Sequence, residues 1–455
     1  MMSSKTLFPL LIVLALLFPV APPPTTSAFA DDPPAPPPLD PARIGVVVRD
    51  PWYEFGTNPR FPGQANQAAQ DQMGQLLAAA GARWVRLEFI VELSAGDFQA
   101  QIARNDYFIN EVAPRYGLQV LGLLAFRLVD VDPRDPSERG LISNQFLPES
   151  QTPYGGGVNQ YMHNWLDRAL WIMQRYQGRV AAYEVFNEPN RLAVVGGFRG
   201  GEGIAPERVA TLHTKLYRCF KQNQCDHRSS DPTWRADVQL LIGGLHPRGS
   251  DLILGPTGPA LSDRDYLRRM VISAAFRSYQ TSFGRLPFDG IGYHPYPAEI
   301  VVTLANLDDE IERINQRLDE VRGELRTTLA SLEPSAAEHP FWITELGYNA
   351  AYPGQSEAGQ VAFLRAIFTT IATRPDVATL FWFKYEDFPP ASGPNAQRWG
   401  LVHIPFSEGT AGATCPGGAC YNPDGVPSQL RPSFWALREL AGLPMPQLWL
   451  PVVTR

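Results

Sequence analysis

Two glutamates stand at the ends of short apolar runs, and their setting is the first chemical signal in the chain. Ala181-Ala182-Tyr183-Glu184-Val185-Phe186 leads into Asn187-Glu188-Pro189, and Phe341-Trp342-Ile343-Thr344 leads into Glu345-Leu346-Gly347. Short apolar runs with β-branched and aromatic residues read as buried strands, and a proline just past Glu188 ends the first of them. A lone loop glutamate is ordinarily a solvated carboxylate. A pair in matching settings suggests chemistry, because one carboxyl group can protonate a leaving oxygen while the other attacks the carbon behind it. With the two groups about 5 to 5.5 Å apart, that division of labour cleaves a glycosidic bond with retention of configuration.

Such a pair must be displayed by a rigid frame. Strands are expected at 44–48, 84–89, 118–124, 181–186, 238–243, 288–293, 340–344 and 378–383. Helical patterns fall near 65–80, 103–115, 159–177, 206–222, 263–283, 305–332, 356–373 and 432–441. Eight strands each followed by a helix is the count of an α/β protein with a single (β/α)8 TIM barrel, here spanning 44–445. In that fold the C-terminal ends of the strands carry the chemistry, and Glu188 and Glu345 would end the fourth and seventh. Long Pro-, Gly-, Ser- and Asn-rich stretches at 127–158, 189–205 and 385–431 would wall the same face. Leu307, Ile311, Ile314, Leu318, Val321 and Leu325 recur at helical spacing, which fits one face packed on a core better than a coiled-coil seam.

Composition narrows the partners. Of 455 residues, 44% are hydrophobic, so a large core can be buried. The 39 Lys and Arg against 46 Asp and Glu give a net charge of −7, with no basic block, which argues against nucleic acid or an anionic membrane as partner. Lys5, the apolar segment 7–19 and Ala28-Phe29-Ala30 read as a secretory signal over 1–30, followed by a proline-rich spacer over 31–43 that should be extended and poorly packed. A secreted, extracellular monomer with no membrane span in its mature form is expected. Cys219 with Cys225 and Cys415 with Cys420 are the expected disulfides. His163, His213, His227, His246, His339 and His403 lack tight ligand spacing, and no phosphate or dinucleotide loop is present, so neither metal nor cofactor is implied. The tail at 446–455 has no assigned role.

Asn-Glu-Pro closing a fourth strand and a glutamate closing a seventh resemble the retaining (β/α)8 glycosidases of clan A, which include cellulases, mannanases, xylanases and β-glycosidases. The resemblance implies that Glu188 is the acid/base and Glu345 the nucleophile. It further implies that Arg86 favours the ionised nucleophile, that Asn187 contacts the sugar 2-hydroxyl, and that Tyr296, two residues after His294, hydrogen-bonds the nucleophile. Trp382 would be the sugar-stacking floor. It departs at Ala125-Phe126-Arg127, where some families of the clan have a histidine. Ordinary structural readings stand beside these: Arg86 as partner of Glu88 or Glu184, His294 as a satisfied core residue, Trp382 as plain core.

The implied activity is hydrolysis of a β-linked glycoside or polysaccharide by double displacement. A catalytically weak carbohydrate-binding protein on the same scaffold and a transglycosylase remain the alternatives. Glu188, with no cationic partner apparent in the sequence, is expected to have a raised pKa beside an ionised Glu345.

Overall fold

A computed structural model describes residues 38–48, 57–58, 61–91, 97–129, 146–191, 193–195, 198–200, 203–225, 237–247, 261–298, 301–388, 397–405 and 425–445. Eight apolar runs become β1 (Ile44–Val47), β2 (Trp84–Glu88), β3 (Gln119–Leu124), β4 (Val180–Asn187), β5 (Gln239–Leu245), β6 (Gly290–Tyr293), β7 (Phe341–Gly347) and β8 (Val377–Phe383). All neighbours pair in parallel, and β1 pairs with both β2 and β8, so the sheet closes on itself as a (β/α)8 barrel. Strands buried on both faces must be apolar on both, which is why they read as runs rather than as alternation.

Alternate residues fill the interior in layers. Val47, Trp84, Leu121, Ala182, Leu241, Trp342 and Phe381 pack together there, with Trp84 edge-on to Trp342 at 5.1 Å between ring centres. Two residues further along their strands, Arg86, Glu184 and Thr344 form a polar layer nearer the C-terminal ends, joined by hydrogen bonds described below. The opposite parity of each strand faces the helices.

Of those helices, Leu307–Leu329 buries Ile311, Ile314, Leu318, Val321 and Leu325, so its stripe is a core-packing face. Two expected helices are broken. The one near 263–283 divides into Asp263–Val271 and Ala274–Phe283, because Ser273 leaves the helical conformation and its hydroxyl accepts the N–H of Phe276 as a cap. The one near 103–115 begins earlier, at Phe98–Ala103, and resumes as a π-turn over Phe108–Val112 before Ala113–Arg115. Two short hairpins also form, Thr57–Asn58 with Phe61–Ala65 and Ala193–Val195 with Phe198–Gly200, the second within the stretch 189–205 expected to be loop.

Residues 38–43 depart from the poorly packed spacer expected there. The Leu39 N–H donates to the Leu440 carbonyl at 2.9 Å, and Arg43 donates to the carbonyls of Ala372, Arg374 and Val377 beneath β8. Cys219, near the end of helix Pro206–Gln222, is bonded to Cys225 with Cα atoms 4.5 Å apart. The expected leader, most of the spacer, Cys415 with Cys420, and the tail at 446–455 lie outside the described residues. Among the described residues no helix is long and apolar enough to cross a membrane.

Candidate active site

Simple alternation along a strand would not bring Glu188 and Glu345 to one place. On β4, Ala182 and Glu184 face the interior, and Phe186 should follow them. Instead Phe186 adopts a positive φ of 69° and stacks on Trp165 of the outer helix Gln160–Arg175, at 4.9 Å between ring centres. Glu188 is also left-handed, with φ 47°, and its N–H donates to the Gly244 carbonyl at 2.9 Å. Two non-glycine residues in this region each cost about 1 to 3 kcal/mol, strain that tends to gather at functional sites. On β7, Trp342 and Thr344 face inward, so Glu345 should face out. The pairing register with β8 shifts between Ile343 and Leu346, an irregularity of the kind that re-aims a side chain, and Glu345 turns into the mouth.

The two carboxylates thereby meet. An oxygen of Glu188, an oxygen of Glu345 and a ring nitrogen of His294 lie within 4.8 Å of one another. Around Glu345, Tyr296 donates its hydroxyl at 2.6 Å and Arg86 donates from Nη1 at 3.4 Å. Arg86 also donates from Nε to Glu184 at 2.7 Å and from Nη2 to the Asn187 side-chain oxygen at 2.7 Å. Around Glu188, Arg191 donates at 3.1 Å, and Nδ1 of His294 stands 3.1 Å from the other oxygen. His294 Nε2 is 3.1 Å from the Thr344 hydroxyl, which donates to Glu184 at 2.6 Å. One chain of contacts thus runs from Tyr296 through Glu345, Arg86, Glu184, Thr344 and His294 to Glu188.

Glycines make room for it. A Cβ on Gly292 would lie 2.3 Å from a Glu184 oxygen, and one on Gly244 would lie 2.2 Å from Nε2 of His294. Neither position admits a side chain while the buried carboxylate and imidazole stay where they are.

Electrostatics separates the two sides. Arg86 is buried, which opposes its charge, yet Glu184 and Glu345 outweigh this and raise its pKa above the ordinary value. Burial and the adjoining Glu345 push the Tyr296 phenol well above its ordinary pKa, so it remains a donor at neutral pH. Glu188 departs from expectation. Burial alone would raise its pKa, but the hydrogen bond to His294 and the charges of His246, His294 and Arg191 overcome this and draw it down to about 2. The charge of the two histidines acts only while their rings are protonated, whereas a neutral His294 still lowers Glu188 if its hydrogen sits on Nδ1 and donates to the carboxylate.

The expected site residues come together with one exception. Glu188, Glu345, Arg86, Asn187, His294 and Tyr296 share the network, and the structural reading of Arg86 as partner of Glu184 holds beside its contact to Glu345. Trp382 does not join them: it is fully buried and faces Phe363 outside the barrel, 6.5 Å between ring centres, so it has no surface on which a sugar could stack. Its neighbours Phe381 and Phe383 carry the inward parity, and Phe383 meets Trp399 edge-on at 5.4 Å. Trp399 is partly exposed and also touches Tyr296 and Tyr352, which makes it the aromatic wall of this mouth.

Sequence reading passed over several contributors. Arg191 stands two residues past the Asn-Glu-Pro run, and a cation three residues past a glutamate was the available signal. Asn190 joins that loop to the next by exchanging two hydrogen bonds with the backbone of His246, which stacks on Tyr296. Glu188, His294 and Glu345 offer donor types that metals use, but the His294 nitrogen and both carboxylates are already engaged with protein partners.

No family model and no curated protein matches this sequence. Solved structures do match its fold. A mutant rice β-glucosidase in a covalent complex with Glc is 12% identical, over 88% of this chain and 98% of that one, with a TM-score of 0.50. A GH5_18 protein from Streptomyces cattleya in complex with GlcNAc is 15% identical, over 88% of this chain and 79% of that one, with a TM-score of 0.47. A GH2 β-galacturonidase from Eisenbergiella tayi bound to galacturonate is 11% identical with a TM-score of 0.46, and this chain, matched over 88%, spans only 51% of its length. At such identities the likeness to the rice enzyme carries the fold, a (β/α)8 barrel of the kind that glycoside hydrolases use.

Proposed function

We propose that the chain is an exported retaining glycoside hydrolase acting on a β-linked glycoside or polysaccharide. The observation that carries the reading is the carboxylate spacing. One oxygen of Glu188 and one of Glu345 lie within 4.8 Å, a close approach that fits the about 5 to 5.5 Å carboxyl separation of retaining enzymes better than the about 6.5 to 9.5 Å by which inverting enzymes admit a water. Glu345, fixed by Tyr296 and Arg86, is placed to attack the anomeric carbon. Glu188 gives its proton to the departing oxygen, and the glycosyl ester on Glu345 is then opened by water that Glu188 deprotonates. Asn187 spends its side-chain oxygen on Arg86, which leaves its amide hydrogens for a sugar hydroxyl. Trp399 supplies the stacking surface that Trp382 does not. The Cys219–Cys225 bond supports an oxidising compartment.

A panel of aryl β-glycosides and β-linked polysaccharides, with products identified, tests the reading. Release of aglycone or shorter saccharide supports it. Binding without release by intact protein favours a carbohydrate-binding role, and transfer to sugar in preference to water favours a transglycosylase.

Tyr296→Phe separates chemistry from packing. The ring keeps its contacts with His246 and Trp399, and only the hydrogen bond to Glu345 is lost. A hydrogen bond to a charged group contributes about 1.5 to 3 kcal/mol, so kcat should fall about 10- to 150-fold while the thermal midpoint moves little. Unchanged turnover with a collapsed midpoint would make Tyr296 a structural residue.

A further inference from the structure

We propose that Thr344 is a positioning residue that fixes the tautomer of His294, and so makes the neutral imidazole an acceptor toward Glu188. The kinetic consequence rests on the glycosidase reading; the tautomer itself does not.

Hydrogen count decides the tautomer. Arg86 donates to one oxygen of Glu184 at 2.7 Å, a fully buried ion pair that keeps Glu184 a carboxylate, able only to accept. The Thr344 hydroxyl therefore donates its single hydrogen to the other oxygen, 2.6 Å away. Only lone pairs remain on Thr344 for His294, whose Nε2 is 3.1 Å distant, so that nitrogen must carry a hydrogen. In the neutral ring Nδ1 is then bare, 3.1 Å from Glu188. A bare nitrogen accepts a hydrogen bond from protonated Glu188 and repels its carboxylate. The opposite tautomer would donate to the carboxylate and leave Glu188 unprotonated where it must give a proton, and a poor base where it must take one from water.

The other groups facing this pair do not hold Nε2. Arg191 donates to the second oxygen of Glu188, and His246 acts on Glu188 by charge from its place against Tyr296. Arg86, Tyr296 and Glu345 form the opposite side of the mouth. The backbone of Gly244 lies against the ring edge, where a Cβ would reach within 2.2 Å of Nε2. Thr344 and His294 exchange no proton in either half-reaction; the proton passes from Glu188 to the leaving oxygen and returns to Glu188 from water.

The test uses the whole chain with ¹⁵N-labelled histidine rings, and the variants Thr344→Val and Thr344→Ser. Wild type and Thr344→Ser, at a pH where the ring is neutral, should show His294 protonated at Nε2 and bare at Nδ1. Thr344→Val, which keeps the shape and loses the acceptor, should move the hydrogen to Nδ1. On the best aryl glycoside the alkaline limb of kcat/KM should then move about one pH unit toward acid in Thr344→Val, with Thr344→Ser restoring the wild-type limb. A wild-type ring bare at Nε2, or a folded Thr344→Val with both spectrum and profile unchanged, overturns the proposal. If Thr344→Val does not fold, the wild-type spectrum alone decides. If wild type turns over no glycoside, the glycosidase reading falls and the spectra still decide the tautomer.

Discussion

Replacing Glu345 by alanine should remove turnover, a loss on the order of 10⁵- to 10⁶-fold even with aryl glycosides whose leaving groups need no proton. The nucleophile has no substitute at that position, since Glu188 is committed to His294 and Arg191 on the other wall. The fold should survive, because Arg86 keeps Glu184 and Asn187 as partners and is not left as an isolated buried charge. The vacated space lies between Tyr296 and Arg86, where a small anion is favoured. Azide should therefore restore cleavage of activated substrates and give a glycosyl azide of inverted configuration. Rescue with retained configuration, or substantial turnover without azide, would assign the nucleophile elsewhere.

Glu188→Ala should behave differently, because it removes a proton carrier rather than the attacking group. Substrates with poor leaving groups should lose about 10²- to 10⁴-fold, the usual contribution of general acid–base catalysis. Activated aryl glycosides should still form the ester on Glu345 and then stall, visible as a burst of aglycone. Azide needs no base, so it should open the ester and yield a product of retained configuration. The kcat/KM profile, bell-shaped in wild type, should lose the limb set by Glu188. An equal loss for good and poor leaving groups would contradict the assignment.

The barrel was legible because its strands are buried on both faces: each expected run lies on an observed strand, within three residues at either end. The two glutamates were legible for the same reason, as polar residues at the exits of apolar runs. What was hidden was direction. Trp382 and Phe383 are both apolar in a doubly buried strand, so no polarity pattern says which faces the interior, and the tryptophan was placed on the wrong side. The left-handed turn at Phe186 and the register shift before Leu346 override alternation, and neither has a proline or glycine signature at the residue re-aimed. The groups that lower Glu188 were hidden for another reason. Its partners His294 and His246 are distant in sequence and meet it only because neighbouring strands converge. Thr344 looked like one more β-branched strand residue, and only the hydrogen count within the barrel gives its hydroxyl a role. The serine that divides 263–283 was a legible cap that the apolar periodicity masked.

Double displacement by a closely spaced carboxylate pair fixes the configuration of the first-formed product. Proton NMR recorded during the earliest turnovers of a β-linked substrate, before mutarotation, resolves the anomeric proton. The released sugar should appear first as the β-anomer and equilibrate afterward. An α-anomer appearing first would mean a single displacement by water, and would contradict the roles given to Glu345 and Glu188.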